Sequence, residues 1–214
     1  MAEIEFDEKK HQYKVDDKVV PSVTEILEHL TAPGYNKINP SILEEAKERG
    51  TAVHELTEDI DLGFPPEYID PFVAGYALAY MKFLGDYDVE WEYIEHQFYE
   101  PKMGFCGTID RVGKIDGCDC VLDIKTASSP SADQKIAVVC QTSAYGFAMF
   151  DRAVMYRRYA LYLHNDGTYE LMDCLDYENQ KKFSGLYLFT DLCNLHKTLM
   201  DIKKRRATKT VKEE

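Results

Sequence analysis

Residues 104–130 read GFCGTIDRVGKIDGCDCVLDIKTASSP, and the alternation within this stretch decides the fold. From Phe105 to Ile115 apolar and small residues alternate around Asp110 and Arg111, and from Cys120 to Thr126 a short apolar run ends in charge, which are the patterns of two strands. Asp116-Gly117 between them is a turn pair, because both residues accept the left-handed backbone that a tight hairpin demands. Side chains alternate along a strand, so Val121, Asp123 and Lys125 share one face while Leu122 and Ile124 point into the other. Pairing the two arms brings Asp110 toward Asp123, beside Lys125. Two close carboxylates repel each other unless a divalent cation lies between them. Oxygen ligands of this kind suit Mg²⁺ or Mn²⁺.

Further candidates lie on the flanking helices. His54, in GTAVHELTE, falls in a helix expected from about Ser41 to Asp61, with an interruption near Gly50; Glu58, four residues on, shares its face as an orienting partner or a solvated charge. A second helix, Ala132 to Phe150, carries Gln141 and Tyr145 four apart in QTSAY, next to the end of the lysine strand. Upstream of the hairpin, Val89 to Glu100 alternates as a strand, with Trp91, Tyr93 and Glu95 on one face. Glu95 is read as a further metal ligand, a residue that orients one, or an exposed strand charge.

An aspartate near the end of one strand, Asp-Ile-Lys ending the next, a histidine on an earlier helix and Gln-x-x-x-Tyr on the following helix, in that order, resemble the PD-(D/E)XK nuclease superfamily in its RecB-like branch. VPSVTEIL at residues 20–27, followed by a helix into RGTAVHELTE, extends the likeness to phage-type and mitochondrial genome maintenance exonucleases of that branch, over roughly residues 20–150. The resemblance implies an α/β fold with a restriction-endonuclease-like core, a central mixed β-sheet flanked by helices. It implies that Asp110, Asp123, His54 and the backbone carbonyl of Ile124 hold Mg²⁺ or Mn²⁺, that Lys125 acts on the attacking water and the phosphoryl oxygens, and that Gln141 and Tyr145 orient Lys125 or the phosphate. The activity implied is exonucleolytic hydrolysis of linear DNA, double- or single-stranded, in recombination or repair, in a phage setting with a single-strand annealing protein as partner. A structure-specific endonuclease would share the motifs, and a noncatalytic DNA-binding protein could retain the fold, though Asp110, Asp123 and Lys125 together count against it.

At 214 residues and 45% hydrophobic content, the chain can bury one sizeable core, and a single domain over 1–214 is expected, with the core motifs at about 40–150. No apolar run approaches a membrane span, and the start MAEIEFDEKK lacks the features of a signal or transit peptide, so no membrane partner and a cytoplasmic location are expected. The six cysteines (106, 118, 120, 140, 174 and 193) show no zinc spacing and read as free thiols. None precedes Cys106 and only two follow Tyr145, so an iron–sulfur cluster of the kind some RecB-like nucleases carry is not expected. The net charge of −13 opposes nucleic-acid affinity, but it is uneven: residues 1–100 hold 8 Lys/Arg against 23 Asp/Glu, and residues 101–214 hold 17 against 15. A locally basic groove, rather than a basic protein, is what the DNA reading needs.

In chain order, short strands are expected at Ile4–Phe6, Tyr13–Val15 and Val19–Val20 around Asp16-Asp17. A helix capped by a Ser22–Glu25 box follows, completing an N-terminal hairpin-and-helix unit over 1–32. Residues 32–39 form a loop, with Asn39-Pro40 opening the next helix. A packing helix spans Glu67–Leu84. Strands at Val154–Leu163 and Thr168–Asp173 pair across Asn165-Asp166-Gly167, and one long helix, Tyr177–Arg206, completes a C-terminal unit over 152–206. Arg157 and Arg158, interleaved with tyrosines, are read as DNA contacts or as the polar face of a sheet edge. Lys203 and Lys204 are read as backbone contacts to DNA or as complements to the helix dipole.

Overall fold

The computed structural model describes residues 3–7, 10, 12–35, 38–127, 129–150 and 155–210. Three short strands, β1 (Ile4–Asp7), β2 (Gln12–Val15) and β3 (Lys18–Val20), form an antiparallel sheet. The turn between β2 and β3 places Asp16 and Asp17 at φ 48° and 64°, the left-handed pair of a tight hairpin. Helices α1 (Val23–Tyr35), α2 (Pro40–Asp61) and α3 (Ala74–Asp86) follow, then β4 (Val89–Glu100), β5 (Phe105–Ile115) and β6 (Cys118–Lys125). Asp116 and Gly117 turn the β5–β6 hairpin at φ 50° and 74°. Helix α4 (Ala132–Met149) leads to β7 (Arg157–Leu163), β8 (Tyr169–Asp173), α5 (Cys174–Lys181) and α6 (Gly185–Thr210).

The fold is α/β. The five later strands make one mixed sheet in the order β4-β5-β6-β7-β8, antiparallel except for the β6–β7 pair. A parallel pair needs a crossover, and α4 supplies it, its start fixed by a capping box in which Ser131 and Gln134 satisfy each other's amides. Helices α1, α4 and α6 cover one face: Val23, Ile26 and Leu27 pack with Val121, Cys140 and Phe189. Helices α2 and α3 cover the other, where Val53, Leu56, Tyr80 and Phe83 meet Leu122, Ile124 and Leu161. Val121 on one side and Leu122 with Ile124 on the other give the alternation that residues 120–126 require. Among the described residues, no helix is long and apolar enough to cross a membrane.

Several boundaries differ from expectation. Helix α1 runs through Pro33 to Tyr35, because the packing of Val23, Ile26 and Leu27 outweighs the one backbone bond that proline gives up. Helix α2 is continuous through Gly50. Helix α3 starts at Ala74 rather than Glu67. Asp70, just before Pro71, instead closes a turn by accepting the Phe72 N–H at 2.8 Å. The single long C-terminal helix is two: Lys182 adopts φ 58°, and Glu178, ion-paired to Arg158, takes the Gly185 N–H at 2.5 Å. A Cβ at Gly185 would lie 2.6 Å from Ser143 Oγ, so the chain turns back where it presses on α4. The expected start of β7 at Val154 lies outside the described residues.

Candidate metal centre

The β4–β5 pairing creates the site. A bulge shifts the register between Trp91, opposite Gly113, and Tyr93, opposite Val112. Beyond it Ile94 pairs with Arg111 and His96 with Ile109, which sets Glu95 opposite Asp110. In the earlier register Ile94 would face Asp110, and a one-residue slip turns every later side chain to the other side. Trp91 and Glu95 therefore do not share the uninterrupted alternation expected of this strand. Glu95 also has φ 48°, a left-handed conformation rare for a glutamate within a strand and characteristic of sites where geometry serves function.

Helix α2 brings His54 to the same place. His54 Nδ1 lies 3.5 Å from Glu95 Oε1 and 3.7 Å from Asp110 Oδ1, and one donor atom from each of the three residues falls within 4.8 Å of the others. This group could hold a metal ion. The remaining Asp110 oxygen, Oδ2, accepts the Ile124 amide at 2.6 Å, which locks the carboxylate with Oδ1 toward His54. Burial disfavours charge on the imidazole, but Asp110 and Glu95 outweigh it and push its pKa up to about 9. Protonation of the imidazole thus offsets part of the charge of the two carboxylates, and a cation bound through His54 would compete with that proton.

One cavity of about 580 Å³ is lined by His54, Glu58, Glu95, Asp110, Asp123, Lys125, Gln141 and Tyr145. Lys125 Nζ lies 2.7 Å from Asp123 Oδ2 as an ion pair. Asp123 is fully buried, and its Oδ1 has no hydrogen-bond partner among the described residues. Burial drives the Asp123 carboxyl up, Lys125 pulls it back, and the neighbouring Asp110 adds to the net rise. An orphaned buried carboxylate oxygen beside a His/Glu/Asp group fits a divalent cation, whose charge would satisfy it. On α4, Gln141 Nε2 donates to the Tyr145 hydroxyl at 2.7 Å. Burial, reinforced by Asp123 and Asp110, raises the Tyr145 pKa well above its usual range, so the hydroxyl keeps a proton to donate. The N-terminal sheet forms part of the rim, where Tyr13 is hydrogen-bonded to Thr108 at 2.7 Å.

The structure thus gathers His54, Glu58, Glu95, Asp110, Asp123, Lys125, Gln141 and Tyr145 at one cleft. Of Ile124, the visible contribution is its N–H to Asp110. The four basic residues assigned to DNA do not line this cavity. Arg157 faces Asp173 at 3.2 Å. Arg158 is a correction to the sequence reading: it is buried and holds Glu178 at 2.6 Å, with Ser143 also bonded to its guanidinium, so its charge is spent inside the fold. Lys203 and Lys204 sit on the exposed end of α6, Lys204 bordering a separate cavity with Glu25 and His196.

Sequence reasoning missed Arg111, Asp61, Thr57 and Tyr80. Arg111 has no exposed surface and lies directly behind the site, with Nε 2.5 Å from Asp61 Oδ2 and Nη1 3.2 Å from Glu95 Oε1. One signal was available: strand alternation puts Arg111 on the face opposite Asp110, where its cross-strand neighbour is the core residue Leu122. An arginine placed there must be paired.

Compared with models of known protein families, the chain has no match, and a search among curated proteins finds none either.

Proposed function

We propose that this chain is a metal-dependent deoxyribonuclease with a restriction-endonuclease-like core, acting as an exonuclease on the ends of linear DNA in recombination or repair. The observation that carries this reading is the meeting of His54, Glu95 and Asp110 at a cleft shared with Asp123, Lys125, Gln141 and Tyr145. His54, Glu95 and Asp110 would hold the cation, with Asp123 as a further carboxylate. Hard oxygen donors with one imidazole suit Mn²⁺ and Mg²⁺. Such an ion supplies positive charge to a phosphodiester and lowers the pKa of a water beside it.

The protein's own groups account for the rest. Lys125, held by Asp123, places an ammonium where charge grows on the phosphoryl oxygens and orients the attacking water. Gln141 fixes the Tyr145 hydroxyl, whose proton can be donated to a phosphate oxygen. Hydrolysis forms the bond from the water oxygen to phosphorus and breaks the one to the leaving sugar oxygen, which takes up a proton.

Incubation of end-labelled linear DNA beside closed circular DNA, with Mg²⁺, Mn²⁺ or chelator, tests the reading. Loss of the linear substrates alone, abolished by chelator and by Asp123→Ala, is the expected result. Cutting of circles would make it an endonuclease. Binding without cleavage under either metal would make it a noncatalytic DNA-binding protein.

A further inference from the structure

Behind the candidate metal centre lies a guanidinium in contact with the support of all three ligands. Arg111 Nη1 donates to the Glu95 side chain at 3.2 Å and to the Asp110 backbone carbonyl at 2.7 Å. Nη2 donates to Thr57 Oγ1 at 3.2 Å, and Thr57 Oγ1 in turn donates to the His54 carbonyl at 3.0 Å. Nε is taken by Asp61 Oδ2 at 2.5 Å, an oxygen that also accepts from the Tyr80 hydroxyl. Four of the five N–H groups of a guanidinium are thus committed in a fixed fork, which the single ammonium of a lysine cannot reproduce.

Charge adds a second constraint. An arginine is always charged, and one lying behind Glu95 would repel a cation bound in front of it. Asp61, whose side chain is 2% exposed, supplies the opposing charge at the far side of the guanidinium. The buried pair is close to neutral as a unit, leaving the negative charge of Glu95 and Asp110 to face the cleft.

We propose that Arg111 is the positioning residue of the metal centre, holding Glu95, Asp110 and the His54 turn in register, and that Asp61 keeps its charge from opposing the cation. The inference rests on the reading of the cleft as a metal site. Arg111 touches neither cation nor substrate. It explains why Glu95 tolerates φ 48°: the side chain is tied from behind by the residue next to Asp110. Outer partners of metal ligands typically govern 10–100-fold in affinity.

The test is Mn²⁺ binding, followed by electron paramagnetic resonance, with the melting temperature of the metal-free protein measured alongside. Arg111→Lys is expected to weaken Mn²⁺ binding by about 10-fold or more. Asp61→Asn, which alters no ligand contact, is expected to weaken it also. In a Glu95→Gln background, Arg111→Lys should cost much less than it does alone, because part of its action passes through Glu95. Arg158→Lys is the matched control, another buried ion-paired arginine away from the cleft; it should lower the melting temperature and leave Mn²⁺ affinity unchanged. Where Arg111→Lys does not fold, Thr57→Val, which keeps the shape but removes the link to the His54 carbonyl, carries the test and should weaken binding. Folded variants that bind Mn²⁺ as the wild type does, or effects that add independently of Glu95→Gln, would overturn the proposal. Absence of Mn²⁺ binding by the wild type would instead remove the metal reading on which it stands.

Discussion

Asp110 and Ile124 are joined across the β5–β6 hairpin: Asp110 Oδ2 accepts the Ile124 amide at 2.6 Å. That bond decides which oxygen faces His54. Asp110→Asn can keep it, since an asparagine oxygen also accepts from an N–H, but the other arm then presents an amide rather than an anion. Folding should survive nearly intact while Mn²⁺ binding falls by more than the roughly 100-fold attributable to an outer partner. Calorimetric titration and thermal melting of the same sample check both halves.

The metal-free protein should lose stability in alkali through His54. Its folded pKa, pushed up to about 9, lies above the ordinary histidine value of 6.5. Its contribution to stability is then fully present below about pH 6.5 and disappears as pH rises through about 9. Melting temperatures of the wild type minus those of His54→Gln, measured in chelator, should narrow across that window. A difference independent of pH would contradict the assignment.

The Arg158–Glu178 ion pair is buried on both sides and also fixes the Gly185 amide. Removing one partner strands a charge, at a cost of about 3–5 kcal/mol. Glu178→Ala should therefore be strongly destabilised in urea. Since the pair lies outside the cleft, the Mn²⁺ affinity of the folded fraction should not change.

Gly113 faces the β4 bulge, where an added Cβ would overlap the Glu90 carbonyl oxygen. The register shift beside it brings Glu95 opposite Asp110. Gly113→Ala should thus weaken Mn²⁺ binding as well as stability, although it lies three residues from the nearest ligand. A loss of stability with unaltered metal affinity would show that the bulge does not set the site.

The hairpin was legible because Asp116-Gly117 and the period of two each specify it locally, and the helical partners because His54, Gln141 and Tyr145 occupy regular helices. The bulge was not, since it arises from one extra residue in β4 with no turn dipeptide to mark it. That hid how Glu95 reaches Asp110. The break at Lys182 was hidden as well: its cause is the pairing of Glu178 with Arg158, twenty residues away in sequence. Arg111 looked like a strand charge beside an aspartate. Its meaning depends on Asp61 and Thr57, fifty or more residues upstream.

The most direct measurement of the central claim is anomalous diffraction from crystals grown with Mn²⁺. The expected result is a peak in contact with His54, Glu95 and Asp110, absent from Asp110→Asn crystals. No peak at that position under saturating Mn²⁺, or peaks only elsewhere on the surface, would contradict it.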